Sequence, residues 1–279
     1  MAEPSTTGPS ATGPSATAVY RAVLGARLRS QLVYRTSFGL DVFGSAMVAA
    51  TDFVEIYVIF HNVPTLGGLD ATAAFLVFGL GTLAFALGSA LFGELDTVPT
   101  FIRTGTLEVM LLRPMPLLAQ IVTGDVRLKR IGGAVVGAGI LALGLTLAEV
   151  RWTPATAVLL VLTPLSGAAV FGALFVVAGA VQFWLVDAAE VTNGLTYGSF
   201  YASRYSGGAL PLPVRLFFAF VVPASFTAYL PTLTILGLPG PPWLPTWLGW
   251  CTPVAAVVAW AVALTLWHRG IRHYTGAGG

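Results

Sequence analysis

Charged residues are scarce in this sequence, and their scarcity indicates the class of protein. Only 9% of the 279 residues are charged, whereas 56% are hydrophobic. A typical soluble domain has about 25% charged residues. A surface with so little charge must face lipid rather than water. The formal net charge of +2 also gives no basic footprint for nucleic acid, so no nucleic-acid partner is expected.

Residue types that catalytic and metal sites need are rare as well. Lys129 is the only lysine and Arg130 follows it, so the Gly-x4-Gly-Lys-Ser/Thr pattern that binds nucleotide phosphates cannot occur. Cys251 is the only cysteine, which excludes a disulfide within the chain. The three histidines lack the spacing of metal ligands. We therefore expect a chain that is not an enzyme and that binds no cofactor or metal itself.

Long apolar segments predict an all-α polytopic membrane protein with six transmembrane helices. The predicted spans are residues 38–60, 71–92, 131–147, one within 153–186, one from about 216, and 247–267. Residues 153–186 carry no charge over 34 positions, which is roughly 50 Å of helix against a hydrocarbon core of about 30 Å. That helix must tilt, break near Pro164 or Gly167, or project beyond the membrane.

The polar segments predict how the chain is organised around these spans. Residues 1–18 are expected to be a disordered cytosolic tail, 19–36 an interfacial elbow helix, 37–267 the six-span domain and 268–279 a cytosolic tail. With both termini inside, thirteen of the fourteen basic residues fall on the cytosolic side, and only Arg151 falls outside. This asymmetry predicts a multi-pass protein with both termini cytoplasmic.

Three acidic residues lie within the first predicted span. Asp41, Asp52 and Glu55 fall on one narrow stripe at 100° per residue. Because a charge inside the membrane is costly, the stripe should face protein or water rather than lipid. It either lines a translocation path, or anchors the helix ends and pairs within the bundle; we favour the second interpretation.

The polar segment 94–130 contains a predicted short helix, Leu107 to Arg113. Gly105-Thr106 is able to open a helix and Pro114 must end it. The helix would expose apolar Val109, Met110, Leu111 and Leu112. It either rests on lipid or docks into a groove on a soluble partner, and the sequence does not choose between these interpretations.

Proline and glycine mark two further features. Residues 223–246 are rich in proline and tryptophan, which fits either an ordinary outer loop or a re-entrant element between spans five and six; we favour the re-entrant element. Gly133 and Gly137, together with Gly132, Gly139 and Gly144, predict close helix packing.

Three stretches together resemble a known family. Arg103-Thr-Gly-Thr-Leu-Glu-Val-Met-Leu-Leu-Arg-Pro-Met-Pro-Leu117 resembles the Arg-x-Gly-x-Leu-Asp-x-Leu-Leu-Leu-Arg-Pro signature of ABC-2 type transporter permeases, in particular a bacterial six-span subfamily. Val222 to Gly237 resembles its fifth-span stretch, and Gly270 to Gly278 resembles its usual ending. Glu108 stands where that subfamily often has aspartate, and the segment from Tyr205 to Pro211 departs from its aromatic-proline run. The resemblance covers the chain from about Tyr20 onward.

The resemblance implies a permease subunit of an ATP-driven exporter in the inner (plasma) membrane. Separate ABC ATPase subunits would bind ATP and Mg²⁺, and a second permease, identical or homologous, would complete the pathway among membrane lipids. Segment 94–130 would be the coupling segment. Its ATPase-coupling residues would be Arg103, Gly105, Leu107, Glu108, Met110, Leu111, Leu112 and Arg113. The substrate would be amphipathic. Two alternatives are an ion-coupled secondary carrier that uses the acidic stripe, and a non-transporting scaffold.

Overall fold

A computed structural model describes residues 35–124, 128–185, 189–204, 211–240 and 245–276 of the chain. Most of these residues are in helices, and none of them forms a strand. The predicted tail 1–18 and most of the predicted elbow helix 19–36 lie outside the described residues. The all-α part of the predicted fold class is therefore confirmed for the described chain.

The helices follow one another along the chain with short connections. The α-helices are α1 (Arg35–Asn62), α2 (Ala71–Phe92), α3 (Val98–Arg103), α4 (Thr106–Leu111), α5 (Leu117–Val122), α6 (Leu128–Leu147), α7 (Pro154–Val181), α8 (Ala189–Arg204), α9 (Leu212–Leu216), α10 (Tyr229–Leu236) and α11 (Thr252–His273). Single-turn 3₁₀ segments lie at Gly93–Thr97, Ala224–Phe226 and Thr246–Cys251, and a π-helical turn lies at Phe217–Val221.

Three described helical stretches are long and apolar enough to cross a membrane: Ala71–Arg103, Pro154–Val181 and Thr246–His273. A fourth is possible if Leu212–Val221 and Ala224–Leu236, which meet at 73°, form one span. The helix α1 is 28 residues long but carries three acidic residues, and the apolar part of α6 is only Gly132–Leu147. The structure thus supports three or four of the six predicted spans. The spans at α1 and α6 stay predictions, because α1 is polar and the apolar part of α6 is short.

The fourth predicted span is one continuous helix, so of the three possibilities given for its length, the break near Pro164 or Gly167 does not occur. The helix α7 runs 28 residues, about 42 Å, with Pro164 inside it. Thr153 and Thr156 close its first turn with a reciprocal capping box. Pro164 and its neighbours Thr163 and Gly167 are buried, and a membrane helix tolerates proline where packed neighbours accommodate it.

The helix α2 lies at the centre of the bundle, between α6 and α7. Its closest approach to α6 depends on glycine, as predicted: a Cβ on Gly137 would lie 2.8 Å from the backbone nitrogen of Leu83, and one on Gly144 would lie 3.2 Å from the backbone of Leu76. On α2 itself, a Cβ on Gly79 would lie 2.6 Å from the Cα of Leu141. These contacts allow the two backbones to meet directly.

The change Gly137→Ala should lower the stability of this crossing. The added methyl must push α6 away from the backbone of Leu83, and such overpacking costs about 1–3 kcal/mol. Gly139→Ala is the matched control, because nothing lies within 4 Å of a Cβ there. We expect the thermal midpoint in detergent to fall by several degrees for Gly137→Ala only. Equal midpoints for the two variants would contradict the packing.

The bent segment after α9 has a local cause in its sequence. The amide of Val222 donates to the carbonyl of Phe217 at 2.9 Å, a wide π-type turn. Pro223 then disfavours a helical conformation at Val222, which is extended. The next turn lies halfway along the bundle, since Thr227 lies beside Gly167 at the middle of α7. From there α10 leads away from the middle of the bundle.

The polar stretch from Asp187 to Arg215 differs from the sequence analysis. No span was predicted between residue 186 and about 216, but residues 189–204 form α8, which packs against α2 and α7. Arg204 at its end is buried among other helices, which the count of basic residues along the chain did not predict. An arginine with buried partners is retained inside a bundle.

Candidate functional site

The short helices between α2 and α6 form a compact cluster at one end of the bundle. Its inward side chains, Leu95, Val98, Ile102, Leu107 and Ile121, are all 3% exposed or less. They pack against the end of α7 and against α11, where further members of the same hydrophobic cluster are Phe175, Val176, Ala180, Phe183, Ala263 and Trp267. The cluster is therefore fixed to two of the long apolar helices.

Two local features fix the position of the helix α4. Gly105 precedes it with φ of +67°, a left-handed conformation that glycine adopts without strain. After it, the side-chain amide of Gln120 donates to the carbonyls of Met110 and Met115, at 2.9 and 2.8 Å. The helix runs Thr106–Leu111 and ends ahead of Pro114, close to the predicted Leu107 to Arg113. Its position on the cluster is thus held at both ends.

The predicted coupling residues divide into an inward and an outward set. Leu107 is fully buried, Met110 packs on the cluster, and Glu108 is partly buried. Leu112 is 86% exposed, the highest value among the large apolar side chains that the structure describes. The exposed set, which we call the α4 patch, consists of Arg103, Val109, Leu111, Leu112 and Arg113. Inward residues hold the helix in place, and outward residues form an apolar surface flanked by two arginines.

Glu108 ties α4 to the end of α11, a contact that the sequence did not reveal. The Tyr274 hydroxyl donates to Oε1 of Glu108 at 2.7 Å across 166 positions of sequence. Burial, then the hydrogen bond to the Glu108 carboxylate and its charge, raise the pKa of Tyr274 to about 12. Because the folded pKa is raised, the stabilisation is fully present below about pH 10 and is lost as pH rises through about 12. At neutral pH the tie is intact.

The acidic residues of α1 are only partly brought together. Asp52 forms an ion pair with Arg204, with Nη1 and Oδ2 2.6 Å apart and side-chain exposures of 19% and 5%. Glu55 is exposed, and together with Asp52 and Arg204 it lines one small cavity. The side chain of Asp41 lies outside the described residues. Asp52 therefore pairs within the bundle.

Arg204 also lies against aromatic rings. Its guanidinium carbon is 4.8 Å from the ring centre of Phe78, 4.3 Å from that of Phe200 and 4.9 Å from that of Tyr201. Cation–π contacts of this kind are worth more when water is excluded. Arg204 thereby links α1, α2 and α8 at one point. Nothing in the sequence predicted that Arg204 would lie next to Asp52, which is 152 positions away.

A third feature is an apolar groove between α7, α11 and the bent segment. Its volume is about 520 Å³, and no charged residue lines it. Cys251 lies at one end of it. Among the described residues, no group of three or more His, Cys, Asp or Glu side chains is placed to hold a metal ion.

A comparison with known proteins identifies one family. The family model described as "ABC-2 family transporter protein" matches residues 46–278, which is most of the chain. The match includes the α4 patch, the Arg204 ion pair, the bent segment and α11. No curated protein and no solved structure matches the chain.

Proposed function

Since the chain belongs to the ABC-2 family of transporters, we propose that it is the membrane-spanning subunit of an ATP-driven ABC exporter. Its substrate would be amphipathic, and ATP and Mg²⁺ would bind to separate ABC ATPase subunits. The observation that supports this most directly is the α4 patch. An exposed leucine between two arginines, on a helix fixed to the bundle, suits docking into a groove on a soluble subunit.

The contacts of α4 supply a route for mechanical coupling. Leu107 anchors α4 in the cluster that includes the end of α7, and Glu108 ties it to Tyr274 after α11. Movement of an ATPase subunit against the α4 patch would therefore displace the ends of two long helices together. Packed helices transmit such displacements because interiors are dense and resist compression.

We further propose six crossings, formed by α1, α2, α6, α7, α8 and α11. The helix α8 is only 16 residues long, about 24 Å, and contains Glu190 and Arg204, but it packs against α2 and α7, so we assign the fifth crossing to it rather than to the segment from about 216. Leu212–Val221 and Ala224–Leu236 would then form the re-entrant element, which turns beside the middle of α7 and whose residues from Val222 to Ile235 are mostly buried in protein. Both termini would be cytoplasmic, in the inner (plasma) membrane.

The helix α1 offers a surface for the second permease. It exposes large apolar side chains, among them Phe43, Met47 and Val54, and on the same helix it exposes the carboxylate of Glu55. The described part of the chain leaves these apolar side chains uncovered, and a second permease that packs on α1 would bury them. The ion-coupled carrier gains no support, because Asp52 is held by Arg204 and is not a free carboxylate for a proton relay.

Purification of the full-length chain from its native membranes tests this function. We expect ABC ATPase subunits to co-purify, and the complex in lipid nanodiscs to hydrolyse ATP. Collapse of a pH gradient in reconstituted vesicles should leave that hydrolysis unchanged. Purification of an intact chain without any ATPase would contradict the proposal. Transport driven by the pH gradient alone would favour the carrier.

A further inference from the structure

The turn that follows α4 carries two residues of the α4 patch on a backbone with few donors. Leu112 and Arg113 lie in this turn and are exposed. Pro114 and Pro116 come directly after them, and proline has no N–H to donate. The turn therefore depends on donors from elsewhere in the chain to keep one conformation.

The side chain of Gln120 supplies two such donors from a fixed base. Gln120 lies on α5, which the buried side chains of Leu117 and Ile121 anchor in the hydrophobic cluster. Its amide nitrogen is 2.9 Å from the carbonyl oxygen of Met110, at the end of α4, and 2.8 Å from that of Met115, late in the turn. The amide thus joins the start of the turn to its end.

The oxygen of the same amide makes glutamine a costly residue at this position. Gln120 is 7% exposed, and no hydrogen-bond partner for its Oε1 lies among the described residues. A buried acceptor without a donor lowers the stability of the fold. Methionine has a similar length and would fill the position without that cost. The advantage of glutamine here therefore lies in the two hydrogen bonds that it donates.

We propose that Gln120 is the positioning residue of the α4 patch, because its bonds to Met110 and Met115 present Leu112 to the ATPase subunit in one orientation. This inference rests on the proposed function, since it assigns Gln120 a part in that docking. Gln120 is buried and acts through the turn rather than by contact with the ATPase. A surface that is ordered before contact binds more tightly, because less conformational entropy is lost on binding.

The variant Gln120→Met distinguishes this role from a role in folding. It removes both donors and keeps an apolar side chain in the cluster. Met110 and Met115 are half-buried, so water is able to replace the lost donors at their carbonyls. We expect a thermal midpoint in detergent equal to or above that of the wild type, but an affinity for the purified ATPase in nanodiscs that is about tenfold weaker. A lowered midpoint would mean that Gln120 supports the fold, and would overturn the proposal.

Hydrogen exchange of the full-length protein in nanodiscs measures the turn without any ATPase. The amides of Leu112, Arg113 and Met115 donate within α4 and the turn, and they should exchange about fivefold faster in Gln120→Met. The control Thr163→Val also removes a buried oxygen that has no partner among the described residues, but in the middle of α7. It should change neither this exchange nor the affinity. Unchanged exchange of the turn in Gln120→Met would overturn the proposal.

A second background shows whether Gln120 acts through Leu112. In Leu112→Ala the side chain to be oriented is gone, so adding Gln120→Met should weaken binding by no more than about threefold. The same tenfold loss in both backgrounds would mean that the two residues act independently, which overturns the proposal. A wild-type chain that binds no ATPase would contradict the proposed function, and this inference with it. Equal affinities of the wild type and Gln120→Met would contradict the inference alone.

Discussion

The change Leu112→Glu should abolish docking of the ATPase subunit while leaving the permease folded. Leu112 is 86% exposed and sits at the centre of the α4 patch, so no intramolecular contact is lost. A carboxylate there must be desolvated without a partner if the patch enters an apolar groove. Central apolar anchors of an interface contribute 2 kcal/mol or more, so affinity should fall by at least about 30-fold. Titration of the purified ATPase against the permease in nanodiscs measures this.

A conservative variant controls for that experiment. Leu112→Met keeps an apolar side chain of similar volume, and we expect nearly unchanged affinity. Unchanged thermal midpoints for both variants would show that the fold is intact. If Leu112→Glu bound the ATPase as tightly as the wild type, the α4 patch would not be the docking surface, and its exposed leucines would instead rest on lipid.

The bounds of α4 could be predicted because their causes are local. Gly105 provides the left-handed residue before the helix, and Pro114 stops helix formation shortly after Leu111. The direction in which each side chain points could not be predicted. Four of the six residues of α4 are apolar: Leu107, Val109, Met110 and Leu111. No periodicity therefore distinguishes the face that packs on α7 from the face that is exposed.

The differences between sequence and structure have a common origin in contacts between distant residues. A break near Pro164 was one of three possibilities for α7, because an isolated helix loses a hydrogen bond at proline, but in the bundle the helix continues through Pro164, which is buried together with Thr163 and Ser166. Arg204 was counted among the cytosolic basic residues because such a count uses only position along the chain. Its true environment depends on Asp52 and three aromatic rings, contributed by α1, α2 and α8.

The change Arg204→Met should strongly destabilise the bundle. It leaves Asp52 largely buried and without its cation, and loss of one partner of a buried ion pair costs about 3–5 kcal/mol. For a protein of this size, we expect the thermal midpoint in detergent to fall on the order of 10 °C. The reciprocal change Asp52→Leu strands the more deeply buried guanidinium and should be comparably harmful.

The double variant Asp52→Leu/Arg204→Met distinguishes a charge effect from a packing effect. It removes both charges and keeps apolar side chains in both places, so the uncompensated charge disappears. We expect its midpoint to recover to within a few degrees of the wild type, a strongly non-additive result. If the double variant lost as much as the two single variants combined, the contribution of Arg204 would come from its packing on Phe78, Phe200 and Tyr201 rather than from Asp52. Recovery would mean that the cost of each single variant comes from the charge that is left without its partner, and that apolar side chains hold α1 to α8 about as well as the ion pair does.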